Sequence, residues 1–257
     1  MFILLSWLPL ILVLLVFQFV VAPVIIRFRH THPASPEFEP INVGQLPPHV
    51  ADSFTRFIHA MEADGFMFVG YFRQLAYMRN VGFFMTLLKN TVTGDIATII
   101  FLFRKGGLVP LTTSQIEFCT GFADGTEVNT NNGQYPSTFK TYPEKRIFKF
   151  PELHNPRLMY QLHRRLCANS APGIKSLKAA DGKEAFQLSY GAVKEIRKQA
   201  EFGYFYLDEK SNLFRPTWKG AFLMTWKLAW PVGQLRKVAI KSRARATMRS
   251  LGLGGLT

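Results

Sequence analysis

The stretch that decides the fold is Val81 to Phe103, VGFFMTLLKNTVTGDIATIIFLF. Two apolar runs, Val81 to Leu88 and Ile96 to Phe103, flank Lys89-Asn90-Thr91-Val92-Thr93-Gly94-Asp95. Runs rich in β-branched and aromatic residues, bounded by Asn, Gly and Asp, read as the two strands of a hairpin. Neither run alternates cleanly, because Ile96, Ile100 and Leu102 on one side are matched by Ile99, Phe101 and Phe103 on the other. Apolar on both faces, these strands belong in the middle of a sheet covered on each side, or else one face meets a ligand or partner.

The neighbouring segments fit the same sheet. Thr113 to Phe122 alternates, with Ile116, Phe118 and Phe122 facing one way and Gln115, Glu117 and Cys119 the other, which predicts a half-exposed strand. Ala123-Asp124-Gly125-Thr126 turns the chain back through Val128 and Thr130, the Asp-Gly pair supplying the positive φ of a tight hairpin. Asn129 to Thr138 is polar and reads as a loop whose side-chain amides could meet a polar ligand, and Arg146 to Phe150 adds an edge strand. Upstream, Pro48 to Asp64 carries Val50, Phe54, Phe57, Ile58 and Met61 at helical spacing up to Gly65, and Phe66 to Phe72 reads as a strand. Downstream, Asn155 caps a helix with Pro156 in its first turn and Leu158, Met159, Leu162 and Leu166 on one face. Asp181 with Glu184 starts a second helix running to Gly203, and Tyr204 to Leu207 with Leu213 to Arg215 form a short hairpin. The fold class is α+β: an antiparallel sheet with flanking helices, spanning 48–216 as one domain.

Outside this domain the composition changes. Phe2 to Ile26 is apolar except for Ser6 and Gln18. At ~1.5 Å per helical residue it extends about 37 Å, enough to cross a hydrocarbon core of roughly 30 Å. Residues 1–26 therefore read as one N-terminal transmembrane anchor. The run is too long, and its flanks are wrong, for a cleaved signal peptide. Arg27 and Arg29 follow the run and no Lys or Arg precedes it, so the charge rule puts the domain in the cytoplasm of a single-pass protein of the cell (inner) membrane. Residues 27–47, with Pro33, Pro36, Pro40 and Pro47, read as a semi-extended juxtamembrane linker, and His30 and His32 as polar residues of the interface.

Residues 217–257 form an aromatic and basic C-terminal helical segment. Trp218, Phe222, Trp226 and Trp230 recur at four-residue steps, and Arg236, Lys237, Lys241, Arg243, Arg245 and Arg249 follow with no acidic residue among them. Tryptophan with lysine and arginine suits a headgroup boundary, so Trp218, Trp226, Trp230 and those six cations are the expected membrane-surface contacts. A helical aromatic stripe equally suits burial in the domain's own core. The tip, Gly252 to Thr257, reads as disordered. The chain's formal charge of +14 and pI near 10.0 call for an anionic partner. For a chain already held at a bilayer, anionic lipid headgroups come before nucleic acid, and a protein partner is open.

No phosphate loop, dinucleotide fingerprint, nucleophile elbow or C-x-x-C pair is present. Cys119 beside Glu117, with His154 or His163 brought near by folding, is the one arrangement that would suit a nucleophile, although a neighbouring carboxylate raises a thiol pKa. His154 and His163 lack metal-ligand spacing. No catalytic, cofactor or metal residues are assigned. The expected function is a non-catalytic binding or scaffold domain at the membrane whose basic tail touches anionic lipid. The alternative is a membrane-bound enzyme acting on a lipid-linked or hydrophobic substrate.

Overall fold

The computed structural model describes residues 13–78, 81–104, 114–177 and 184–253, with the backbone alone for 75–78, 104 and 184–190. A helix α1 over residues 13–29 leads into β1 (His32–Pro33) and β2 (Glu39–Ile41). Then come α2 (Pro48–Glu62), β3 (Phe66–Met78), β4 (Val81–Asn90), β5 (Ile96–Arg104), β6 (Gln115–Gly121), β7 (Glu127–Asn131) and β8 (Lys145–Lys149). The chain continues through α3 (Pro156–Ser170), α4 (Glu184–Glu201), β9 (Phe205–Asp208), β10 (Leu213–Pro216), α5 (Trp218–Leu228) and α6 (Val232–Ser250).

The architecture is α+β. A seven-stranded sheet runs in the order β2-β3-β4-β5-β6-β7-β8, and a smaller one in the order β1-β10-β9. All pairings are antiparallel except β7 with β8, so the large sheet is mixed rather than purely antiparallel. The β4–β5 hairpin is central, as its doubly apolar strands require. Asn90 closes its turn by accepting hydrogen bonds at Oδ1 from the Val92 and Thr93 N–H groups, each at 3.0 Å. In the next hairpin the Asp124 carboxylate accepts from Thr126 N–H, and Gly125 takes φ +84°.

Two expectations change here. The proline-rich stretch is no free spacer: His32–Pro33 pairs with β10 and Glu39–Ile41 pairs with β3, forming an edge of each sheet. Prolines are tolerated at edges, where the missing N–H faces away from the ladder. Asn129 to Asn131 is strand rather than loop, and all three residues are buried. Asp181, expected as a helix cap, lies outside the described residues.

One face of the large sheet carries the main core. Ala97, Ile99 and Phe101 of β5, Ile116 and Phe118 of β6 and Val128 of β7 pack against Val50, Phe54, Phe57 and Met61 of α2 and Met159, Leu162 and Leu166 of α3. Ala244 and Met248 of α6, followed by Leu253, join the same core, so Leu253, expected in a disordered tip, is docked. Burying a side chain such as Phe118, fully inaccessible, contributes roughly 1.5–3 kcal/mol. A polar cluster is embedded beside it. Asp95, fully buried, accepts from Tyr160 Oη at 2.9 Å, from Arg164 at 3.1 Å and from Thr120 Oγ1.

α1 and α5 pack on each other beside the small sheet. α1 contains a π-helical turn, Phe17–Val21, before Pro23. Its inward residues meet α5: Phe19 lies 5.6 Å from the Trp226 ring, and the Gln18 side-chain carbonyl accepts from Trp230 N–H at 2.6 Å. Thr217 caps α5, and a Cβ on Gly220 would collide with the Tyr204 carbonyl, so only glycine lets the helix sit this close to β9. Among the described residues no helix is long and apolar enough to cross a membrane. The first half of the expected anchor lies outside them.

Candidate functional site

The second face of the large sheet borders a cavity of about 970 Å³. Strand register explains its lining, because residues paired across neighbouring strands point the same way. One row runs Met85, Ile100, Gln115; the next runs Leu87, Thr98, Glu117, Asn131, Lys149. A third runs Lys89, Ile96, Cys119, Asn129, Ile147, and the last runs Gly121, Glu127, Lys145. Over β3 to β5 this face is largely apolar, and Phe72, Phe83, Met85 and Leu87 form a small core of their own with Phe38, Ile96, Ile100 and Leu102 packed against it. Over β6 to β8 it is polar.

The roof comes from two places. Phe38 and the β1 segment close one side, and α4 closes the other through Ala192, Lys194, Glu195 and Ile196. α4 is tied down by polar contacts. The Gln199 amide, fully buried, donates to the Lys140 carbonyl at 2.8 Å and accepts from Lys140 N–H at 2.9 Å, as a strand would. Lys145 of β8 donates to Glu195 of α4 at 2.9 Å and stands 3.6 Å from Glu127. Burial alone would depress the Lys145 pKa, but the carboxylates of Glu127 and Glu195 outweigh it and hold the ammonium charged.

Gln115, Glu117 and Cys119 were expected on a half-exposed strand face. They face the cavity instead, since alternation separates two faces without saying whether the polar one meets bulk water or an enclosed space. The arrangement does not suit a nucleophilic Cys119. Burial pushes its thiol pKa well up, Glu127 and Glu117 push it further, and the thiol donates to Glu127 at 3.6 Å. The histidines do not converge on it. His163 is fully buried on the opposite face, between Thr120 Oγ1 and Thr130 Oγ1 at 2.9 Å each, and burial lowers its pKa to about 4. His154 is exposed before α3. The thiol near His163 is Cys167, 3.5 Å away, its pKa raised by burial to about 11. Both cysteines are free. Among the described residues no group of three or more His, Cys, Asp or Glu side chains could hold a metal ion.

His30 and His32, expected in an aqueous boundary, are packed with Phe205, their Nε2 atoms 2.9 Å apart. Burial lowers their pKa values to about 4 and about 3, the His30 neighbour adding to the shift at His32.

The expected membrane-facing residues divide into two groups. Trp218, Phe222, Trp226 and Trp230 do not enter the sheet core; each stays about half exposed or more, beside the exposed Val13, Leu14, Phe17, Val20, Val24, Ile25 and Phe28 of α1. Arg27 bridges the two helices, its guanidinium 5.2 Å from the Tyr206 ring and 5.9 Å from the Trp218 ring. Among the cations, Arg236 donates to the Lys227 and Ser137 carbonyls at 3.2 and 3.1 Å, and Lys241 and Arg245 pair with Glu152 at 3.2 and 3.1 Å. Lys237 lies over the Tyr135 ring at 4.8 Å. Arg243 and Arg249 are exposed, and neither makes an ion pair among the described residues.

The cavity itself was not legible as a cavity. Its signals were the second apolar face of β5, Ile96, Ile100 and Leu102, and the Asn129 and Asn131 amides, which sit on one continuous face. No family model, curated protein or solved structure matches this chain, so what the site does has to be read from its own geometry.

Proposed function

We propose that this chain is a membrane-held binding protein, without catalysis of its own, that takes an amphipathic small molecule into the cavity of its α+β domain. The single observation carrying this reading is the graded sheet face, apolar from Phe83 to Ile100 and polar from Gln115 to Lys145, enclosing about 970 Å³. Ligand sites of roughly 300–1,000 Å³, mostly apolar with a few placed polar groups, hold drug-sized small molecules. The upward push that burial and the nearby carboxylates give the Cys119 thiol pKa, and its separation from both histidines, favour binding over the enzyme alternative.

Attachment is assigned to residues 1–26, as a single-pass anchor of the inner membrane with the domain on the cytoplasmic side. Support comes from the apolar run, interrupted only by Ser6 and Gln18, from Arg27 and Arg29 behind it, and from the exposed aromatic and aliphatic face that α1 and α5 build together. Trp218, beside Phe28 at the end of the run, would sit at headgroup level, and Trp226 and Trp230, beside Phe19 and Gln18, would lie deeper along the same face. Arg243, Arg249 and Lys237 would meet anionic lipid more readily than Arg236, Lys241 and Arg245, which are engaged by the domain. Nucleic acid is not invoked.

The test uses the full chain in detergent or nanodiscs, with 1-pyrenedecane as an uncharged apolar probe. Saturable binding that disappears in Ile100→Trp, a substitution that fills the apolar half, is the expected result. Non-saturating uptake that is equal in both proteins would overturn the reading. Retention in the membrane pellet after alkaline carbonate extraction checks the anchor, and release into the supernatant would remove it.

A further inference from the structure

Gln74 of β3 stands apart from the other side-chain amides of the cavity. Gln115 Nε2 donates to Glu117 at 3.3 Å, Asn129 Nδ2 donates to Glu117 Oε1, Asn132 Oδ1 accepts from Ile116 N–H at 2.8 Å, and Gln134 is exposed. Gln74 lines the cavity at only 4% exposure, and among the described residues its side chain has no hydrogen-bond partner. Its amide atoms are not sealed in, so they open on the cavity they line. A carboxamide withdrawn from water brings two donors and an acceptor oxygen, and these are costly to leave unpaired.

The strand register puts this amide at the apolar end of the sheet face. Gln74 pairs with Phe83 and Phe83 with Leu102, and the next row is Phe72, Met85, Ile100, so the neighbours these pairings give it are apolar. Phe38 closes over Phe83 with ring centroids 5.9 Å apart. The polar wall begins at Gln115, which follows Ile100 in that next row on β6, three strands away from β3. With strands ~4.8 Å apart and rows about 7 Å apart, the two ends are separated by roughly 16 Å. A ligand with a single polar head cannot serve both.

Resting on the reading of the cavity as an amphipath site, we infer that its ligand carries a second polar group at the far end of its chain, uncharged and able both to donate and to accept a hydrogen bond, as a hydroxyl or an amide is. The head meets the polar wall, the chain crosses Met85 and Ile100, and the terminal group pairs with Gln74. Charge does not suit that end, because an ion there would lie among Phe72, Phe83, Met85 and Leu102 with a neutral amide to meet it. A group that both donates and accepts is the one that completes a carboxamide.

The experiment displaces 1-pyrenedecane from the full chain with 1,12-dodecanediol and 1,2-dodecanediol, isomers that differ only in where the second hydroxyl sits. It is run on wild type and on Gln74→Met, which keeps an unbranched side chain of similar size and removes the amide. The preference for the 1,12 isomer should be about tenfold greater in wild type than in Gln74→Met, the scale of pairing one otherwise unsatisfied buried amide. Comparing the preference between two proteins cancels the unequal partitioning of the isomers into detergent or lipid. Without ligand, Gln74→Met should melt no lower than wild type, because it removes an unpaired amide from an apolar wall. Pyrenedecane, which has no polar group, should bind the variant at least as tightly. An equal preference in the two proteins overturns the proposal. So does a Gln74→Met that unfolds or melts several degrees lower, since the amide would then be satisfied within the fold. Absence of pyrenedecane binding to wild type would instead remove the cavity reading itself, so the two failures are distinct.

Discussion

Acid should unfold this protein through His163, and the size of the effect follows from where the ring sits. His163 is held between Thr120 and Thr130 with no access to water, and burial lowers its pKa from 6.5 to about 4. Below pH 6.5 the unfolded chain protonates this histidine while the folded one does not, so the unfolded state binds more protons and stability falls with falling pH. The stabilisation is complete above pH 6.5, declines through the interval and is lost once pH passes below about 4. At about 1.4 kcal/mol per pH unit, that interval is worth about 3 kcal/mol. His30 and His32 act in the same direction, so the wild-type loss is larger than one histidine gives. The assay is urea unfolding of wild type and His163→Gln across this range. The substituted amide keeps polar atoms near both threonines but loses the ring packing against Phe118 and Tyr160, so the variant starts less stable. Its further loss between pH 6.5 and 4 should be smaller than wild type's by about 3 kcal/mol. Parallel curves for the two proteins would refute the assignment.

Phe118→Ala should cost about 3–5 kcal/mol in urea unfolding yet leave pyrenedecane affinity nearly unchanged, because Phe118 points away from the cavity; a large affinity loss would mean the two faces are misassigned. In a Trp7→Phe background, lipids brominated near the headgroup should quench the tryptophan fluorescence, and unquenched emission would take α5 off the membrane. Gly220→Ala should dislodge α5 from β9 and lower the melting temperature by several degrees, since its Cβ meets the Tyr204 carbonyl; unchanged melting would show that α5 can shift freely.

Much of the architecture could be read from local chemistry. The Asn155 cap with Pro156, the Asp124-Gly125 turn and the apolar stripe of α2 each carry their structure in a few neighbouring residues. What stayed hidden depended on distant pairing. Nothing near Pro33 or Pro40 announces that each sits in a strand against β10 or β3, because edge pairing needs only an extended backbone and a partner. The Asn129 to Asn131 amides look like a solvated loop because their composition is that of a loop, and only the cross-strand neighbours Glu117 and Cys119 make them a buried wall. The parallel addition of β8 depends on the excursion from Asn132 to Glu144, whose anchoring by Gln199 comes from far along the chain. The four-residue aromatic period predicted a stripe, but its burial partner turned out to be α1 and not the sheet.

Cys119 provides the most direct test of whether the cavity holds a ligand, because the native thiol lines it while Cys167 lies on the other face as an internal control. The measurement is site-resolved mass spectrometry of thiol modification by a small methanethiosulfonate at alkaline pH, in the full chain with and without saturating 1-pyrenedecane. The account predicts slow labelling of Cys119 in the free protein, strong protection when the probe is bound, and no change at Cys167. Equal labelling of Cys119 with and without the probe would contradict it.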